Sequence, residues 1–165
     1  VDSVLVFVGS IFLALSAGWI GSVFTISAVP TWYRRLRKPS YNPPPKIFGP
    51  VWTLLYILMG TSAWMVWRVV EFASPLTWLW LYLGQLSLNT LWSILFFGLR
   101  KPALALVEVA LLWLAILATL LSFWGISPLA GALLVPYLAW VSFASLLNFE
   151  IWRLNPDHSI APRAT

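Results

Sequence analysis

The charges of this chain are spaced so that they bracket long apolar stretches, and this spacing constrains the fold more than any other feature. A helix needs about 20 mostly apolar residues to cross roughly 30 Å of hydrocarbon. Five segments of that kind can be drawn, at about 3–26, 47–70, 76–97, 102–124 and 128–152, with a long loop at 27–46. The expectation is an all-α integral membrane protein, a five-transmembrane-helix bundle forming a single domain over 1–165. The first segment lacks a basic n-region and exceeds the length of a signal-peptide core, so it reads as a retained span.

Composition agrees: 61% of the 165 residues are apolar and 9% charged, against about a quarter charged in soluble domains. The net charge of +5 does not point to nucleic acid, because the basic residues lie between apolar segments and not on a soluble scaffold. The absence of cysteine excludes disulfides, Fe–S clusters and thiol nucleophiles. There is no P-loop, Gly-x-Ser-x-Gly or His-Glu-x-x-His, and the one histidine, His158, follows the last segment. A haem held by axial His or Cys is therefore not expected, nor any metal or resident cofactor. An odd number of spans also fits poorly with an inverted-repeat transporter in one chain.

The connections at 71–75, 98–101 and 125–127 are short, which makes the joined segments antiparallel neighbours. The 27–46 loop is different. Six prolines fall between Pro30 and Pro50, and Trp32, Tyr33 and Tyr41 argue against disorder, so the loop is expected to carry function. Five crossings place Arg34, Arg35, Arg37, Lys38, Lys46, Arg100, Lys101, Arg153 and Arg163 on one side, and on the other only Arg68, near Glu71. The positive-inside rule then puts the long loop and C-terminus in the cytoplasm and the N-terminus outside.

Of the twelve tryptophans, Trp32, Trp67, Trp78, Trp80, Trp124 and Trp152 fall near segment ends, where indoles anchor at the interface. Trp19, Trp52, Trp64, Trp92, Trp113 and Trp140 lie further in, packing the core or lining a cavity. Ser10, Ala14, Gly18 and Ser22 form a small-residue stripe that serves either packing within the bundle or a homodimer seam. Gln85 and Asn89 share a face of the third segment with Trp92 and Ser93, and Asn148 lies in the same half of the fifth. With Trp52 and Trp140 these amides either surround a cavity under the loop or simply bond between helices. Glu108 and Glu150 are read as snorkelling toward Arg100, Lys101 or Arg153 in preference to forming a proton relay or substrate site, because a charge at mid-bilayer costs roughly 2.5–3.5 kcal/mol.

Four patterns recur in order: Trp32-Tyr33-x4-Lys38-Pro39-Ser40-x2-Pro43-Pro44, Trp52-x3-Tyr56, Asn89-x2-Trp92-x3-Phe96-Phe97-Gly98, and Pro136-Tyr137-x2-Trp140-x2-Phe143-Ala144-x3-Asn148. With them the chain resembles the tryptophan-rich sensory protein and peripheral benzodiazepine receptor family, the translocator proteins (TspO/MBR). The resemblance implies a bacterial cell-membrane member, a five-helix bundle that is often dimeric, and a cavity opening toward the first loop. It implies porphyrins such as protoporphyrin IX and related hydrophobic drugs as ligands, and a link to tetrapyrrole regulation or stress sensing. It places Tyr33, Pro43, Trp52, Asn89, Trp92, Ser93, Trp140, Ala144 and Asn148 in the pocket.

Some bacterial members are reported to degrade protoporphyrin in light with tryptophans matching Trp52 and Trp140. The expected function is a porphyrin-binding membrane receptor or carrier, with stacked aromatic rings and basic loop residues Arg34, Arg35, Arg37 and Lys38 facing propionates or lipid headgroups. The alternatives are a light-dependent porphyrin-degrading enzyme and a sensor acting through a protein partner. Animal members carry a sterol motif that needs a tyrosine where this chain has Phe149, within Leu147–Arg153. Without that hydroxyl, sterol binding is not expected there. Val29-x3-Tyr33-x-Arg35 fits the same pattern formally, as such short motifs often do by chance.

Overall fold

The computed structural model describes residues 1–156; the His158 and Arg163 positions lie outside the described residues. Among the described residues every regular element is helical. α1 (Ser3–Ala28) starts at Asp2, whose carboxylate accepts from the Val4 N–H at 2.8 Å, and it runs on through a π-helical turn at Val29–Tyr33. α2 spans Pro45–Val70, α3 Thr77–Ser93 with a π turn at Ile94–Gly98, α4 Pro102–Ile126, α5 Pro128–Leu133 and α6 Val135–Leu154. Ser3–Tyr33, Pro45–Val70, Pro102–Ile126 and Pro128–Leu154 are each long and apolar enough to cross a membrane. α3 alone, with 17 residues, is about 26 Å long at 1.5 Å per residue. A five-residue π turn follows it.

Two boundaries differ from the sequence expectation, both at prolines. The irregular part of the long loop is only 36–44, because α1 continues past Pro30. A proline inside a helix lacks its N–H and crowds the carbonyl four residues back; the wider π turn absorbs that conflict. Pro45, by contrast, sits at the start of α2, where a missing N–H costs nothing. The last rod breaks at Leu134 into α5 and α6, two residues before Pro136, for the same steric reason.

The rods form a ring: α1 lies beside α2 and α3, α4 beside α3, α5 and α6, and α2 closes the ring on α5. Away from the loop α1 and α2 touch closely. Ser10 Oγ donates to the Gly60 carbonyl at 2.8 Å, and a Cβ on Gly60 would stand 2.5 Å from Ile11 Cα. Ala14 is fully buried, and Gly18 lies against the Tyr56 ring. Most of the small-residue stripe is thus spent on α1–α2 packing within the chain. α1 also lies against α3 along its length: the Tyr82 hydroxyl donates to the Ser10 carbonyl at 3.2 Å, Thr90 Oγ1 donates to the Ala17 carbonyl at 2.9 Å, Gly21 meets Ser93, and Gly98 meets Phe24. Toward the loop, residues of both α1 and α2 line a cavity.

Several side chains depart from their expected places. Trp67 and Trp78 are buried rather than interfacial, packed on either side of Phe72 with ring centroids 6.1 and 6.4 Å away, where they close the α2–α3 turn. Trp80, Trp124 and Trp152 are exposed, as anchors would be. Arg68 lies over the Trp64 ring at 4.9 Å and makes no ion pair with Glu71, whose φ of 51° carries it off the helical face. Glu150 pairs with Arg153 at 2.6 Å. Glu108 does not snorkel: it is 4% exposed on the buried Ala105–Val109–Leu112 side of α4, and neither carboxylate oxygen has a partner among the described residues.

Candidate functional site

A cavity of about 810 Å³ lies between α1, α2, α3 and α6 at the loop end, and residues from Phe12 to Ile151 line it. Its volume falls in the roughly 300–1,000 Å³ range of small-molecule sites. Most of its lining is apolar and aromatic, with a few polar groups held in fixed directions.

The floor is a hydrogen-bonded chain across three helices. Tyr56 of α2 donates to Asn89 Oδ1 at 2.5 Å, and Asn89 Nδ2 of α3 donates to the Tyr137 hydroxyl of α6 at 2.8 Å. Buried amides are costly unless paired, and here Asn89 has both its acceptor and a donor engaged. A second link ties α3 to α4 through α6: the Trp92 indole N–H donates to Asn148 Oδ1 at 3.0 Å, and Asn148 Nδ2 to the Pro102 carbonyl at 2.9 Å. Gln85 lies outside the cavity, against Met59 Sδ at 3.9 Å, with its Oε1 unpartnered among the described residues. The two readings of the amides thus coexist for Asn89 and Asn148, which bond between helices and also face the cavity.

Indole rings form the walls. Trp52 stacks on Tyr56 at 5.7 Å, one helical turn along α2, and meets Tyr137 edge-on at 6.2 Å. Trp92 stacks on Phe96 at 5.1 Å. Trp140 lies edge-on to Phe48 at 6.1 Å and near Phe143 at 5.8 Å. Ser93 and Ala144 complete the same lining.

The loop covers the end. Tyr33 is buried at the cavity margin, packs against Phe96 and Phe97, and donates to Asn42 Oδ1 at 3.1 Å. Lys38 is a tie and not a free cation: its Nζ donates to the Tyr33 and Leu36 carbonyls at 2.8 and 3.0 Å and lies 4.7 Å from the Tyr33 ring centre. Burial holds its ammonium below the ordinary lysine range. Arg34, Arg35 and Arg37 are exposed around it. Asn155, at the end of α6, accepts from the Arg37 N–H at 3.0 Å and donates to its carbonyl at 2.8 Å.

Eight of the nine residues singled out from the sequence, Tyr33, Trp52, Asn89, Trp92, Ser93, Trp140, Ala144 and Asn148, line this one cavity. Pro43 does not; it sits in the loop, where its carbonyl accepts from Asn42 Nδ2 at 3.2 Å, and Pro45 occupies the margin instead. Tyr56 and Tyr137 were not singled out, although the one-turn spacing of Trp52 and Tyr56 puts both rings on one face. Trp19, one of the inner indoles, also lines the cavity, as does Ser22 of the small-residue stripe.

Comparison with known proteins fits this geometry. The sequence profile of the TspO/MBR family matches residues 10–153. The chain is 47% identical over 148 residues to a tryptophan-rich protein TspO of Chlorobaculum tepidum, covering 87% of this chain and 92% of that protein. It is 42% identical to the translocator protein of Homo sapiens, over 87% of this chain and 86% of that one. It is 44% identical to a tryptophan-rich sensory protein of Cereibacter sphaeroides, over 75% of this chain and 77% of that protein. A cavity walled by tryptophans in an integral membrane bundle, and a match over nearly the whole length, place this chain in the TspO/MBR family.

Proposed function

We propose that this protein crosses the membrane five times and binds flat, apolar amphiphiles in the cavity, with tetrapyrroles such as protoporphyrin IX as the leading class, in a receptor or carrier role. The observation that carries this reading is the wall itself. Trp52, Trp92 and Trp140 line a space of small-molecule size, while Asn89 and Asn148 hold polar groups in fixed directions at its margin. Aromatic stacking favours planar conjugated rings by about 0.5–1.5 kcal/mol per pair beyond area burial. Arg34, Arg35 and Arg37 lie at the end the loop covers, where a carboxylate projecting from the ring system finds positive charge.

Titration of the protein in detergent with protoporphyrin IX, followed by tryptophan quenching, tests the reading. Trp52→Phe and Trp140→Phe are each expected to weaken binding about two- to tenfold, the equivalent of one stacking contact. Unchanged affinity in both would remove this cavity as the site. The same two indoles favour a second reading, light-driven oxidation of the bound porphyrin, because electron-rich rings stand on the walls that would face it. Under illumination in air, loss of porphyrin absorbance no faster than in protein-free detergent would eliminate it.

A further inference from the structure

The lining of the cavity includes residues at the loop end and residues of both α1 and α2, so a route to the outside would run beneath the loop or between these two helices. The loop route is tied down. Asn155 holds Arg37 through both main-chain groups and also donates to the Ile151 carbonyl at 2.8 Å. Lys38 gathers two loop carbonyls, and Tyr41 lies 6.3 Å from Phe143 of α6.

The side route has no such ties. Past Gly18, the lining from α1 includes the small residues Ser22 and Thr25 and that from α2 includes Gly49 and Thr53, with no heavy atom within 4 Å of where a Cβ on Gly49 would stand. Their hydroxyls bond within their own helices, Ser22 to the Trp19 carbonyl at 2.7 Å, Thr25 to Gly21 at 3.2 Å and Thr53 to Gly49 at 2.8 Å. No hydrogen bond from these hydroxyls draws the two helices together there. Trp19 and Ile26 line the cavity and yet are 76% and 72% exposed, which is what a wall open to the outside produces. Both lie inside the 31-residue apolar segment Ser3–Tyr33, so the outside at that depth is hydrocarbon.

We propose that the gap between α1 and α2 is a lateral portal through which an apolar amphiphile dissolved in the bilayer enters the cavity, without passing under the loop. The proposal rests on the cavity being a ligand site, and adds where its ligands come from. An apolar ring system partitions into lipid at about 0.8 kcal/mol per methylene equivalent, so the bilayer holds the larger supply. Entering from the side, such a ligand keeps its rings out of water throughout. Ser22, Thr25 and Thr53 offer its polar group hydroxyl oxygens along the way to Asn89 and Asn148.

The chain has no cysteine, so introduced pairs can be joined selectively. Ser22→Cys with Thr53→Cys bridges the portal, and Arg37→Cys with Asn155→Cys fastens the loop, each with a reducible bifunctional linker. Full-length protein is reconstituted in phosphatidylcholine vesicles, and protoporphyrin IX is delivered from donor vesicles of the same lipid while tryptophan quenching is followed in time. Joining the portal is expected to slow association by about tenfold or more, with recovery on reduction, while joining the loop leaves the rate within about twofold. The recovery shows that the bridged protein was folded. A slow loop-joined protein, or a portal-joined protein with unchanged rate, overturns the proposal. Absence of quenching in the unjoined protein sinks the ligand-site reading itself, a result distinct from either.

Discussion

At the scale of single residues, Glu108 is the least explained group in the bundle. It is buried, it lies between the Asn148–Pro102 and Trp113–Ser142 contacts that set the α4–α6 register, and both its oxygens are unpartnered among the described residues. α3 carries no ionisable group but Tyr82, and the basic residue of α6, Arg153, is already paired with Glu150. A buried carboxylate without a partner costs several kcal/mol, so nothing in its surroundings gains from the charge. Glu108→Gln keeps the shape and removes the ionisable group. The variant is expected to melt at the parent temperature or above it in detergent, by the equivalent of about 1 kcal/mol. A clear drop in melting temperature would mean that the carboxylate has a stabilising partner after all. The sequence marked Glu108 as unusual for a membrane segment, but a stem of that length reaches either the basic end or the interior. Only packing on α4 decides which.

At the scale of elements, α1 and α2 are held by close approach over one half and released over the other. Gly60 is the tightest point, because the Ile11 main chain fills the space a side chain would need. Gly60→Val cannot be absorbed by a rotamer change, since the obstacle is backbone. Overpacking of this kind costs about 1–3 kcal/mol, and the expected result is a lower melting temperature, whereas Gly84→Ala, with no heavy atom within 4 Å of the added carbon, has no comparable steric cost. Equal melting of the two would show that α1 and α2 do not approach as described. Much of this level is legible in the sequence: charge spacing marks the rods, and the four-residue recurrence of Ser10, Ala14, Gly18 and Ser22 marks a contact face. Its partner is not legible, because a small-residue stripe reads the same against α2 as against a second copy. Trp67 and Trp78 illustrate the same limit. Their position near helix ends favours the interface, and only Phe72, lodged between them, turns them inward. Prolines cut both ways: Pro30 marks where a helix should stop, yet the chain carries on through a π turn, whereas the segment drawn unbroken across Pro136 is interrupted at Leu134.

At the scale of the molecule, one end of the bundle gathers Arg34, Arg35, Arg37, Lys38, Lys46, Arg100, Lys101 and Arg153, and the other has, among the described residues, Arg68 alone. The clustering follows from the antiparallel ring: the C-terminal ends of α1, α3 and α6 and the N-terminal ends of α2 and α4 come together. The same end carries the loop, the cavity and the portal, so the direction in which the chain inserts decides which leaflet supplies the ligand. An excess of Lys and Arg beside short connections holds those connections in the cytoplasm. Cysteine scanning in intact bacterial cells tests this directly, since the chain supplies no background thiol. Arg35→Cys and Glu71→Cys sit at opposite ends and are both exposed. With a membrane-impermeant maleimide, Glu71→Cys is expected to label in intact cells and Arg35→Cys only after permeabilisation. The reverse pattern would place the loop outside and move the portal to the outer leaflet. Labelling of both in intact cells would mean that the two ends do not face opposite sides, and the ring of antiparallel crossings would have to be redrawn.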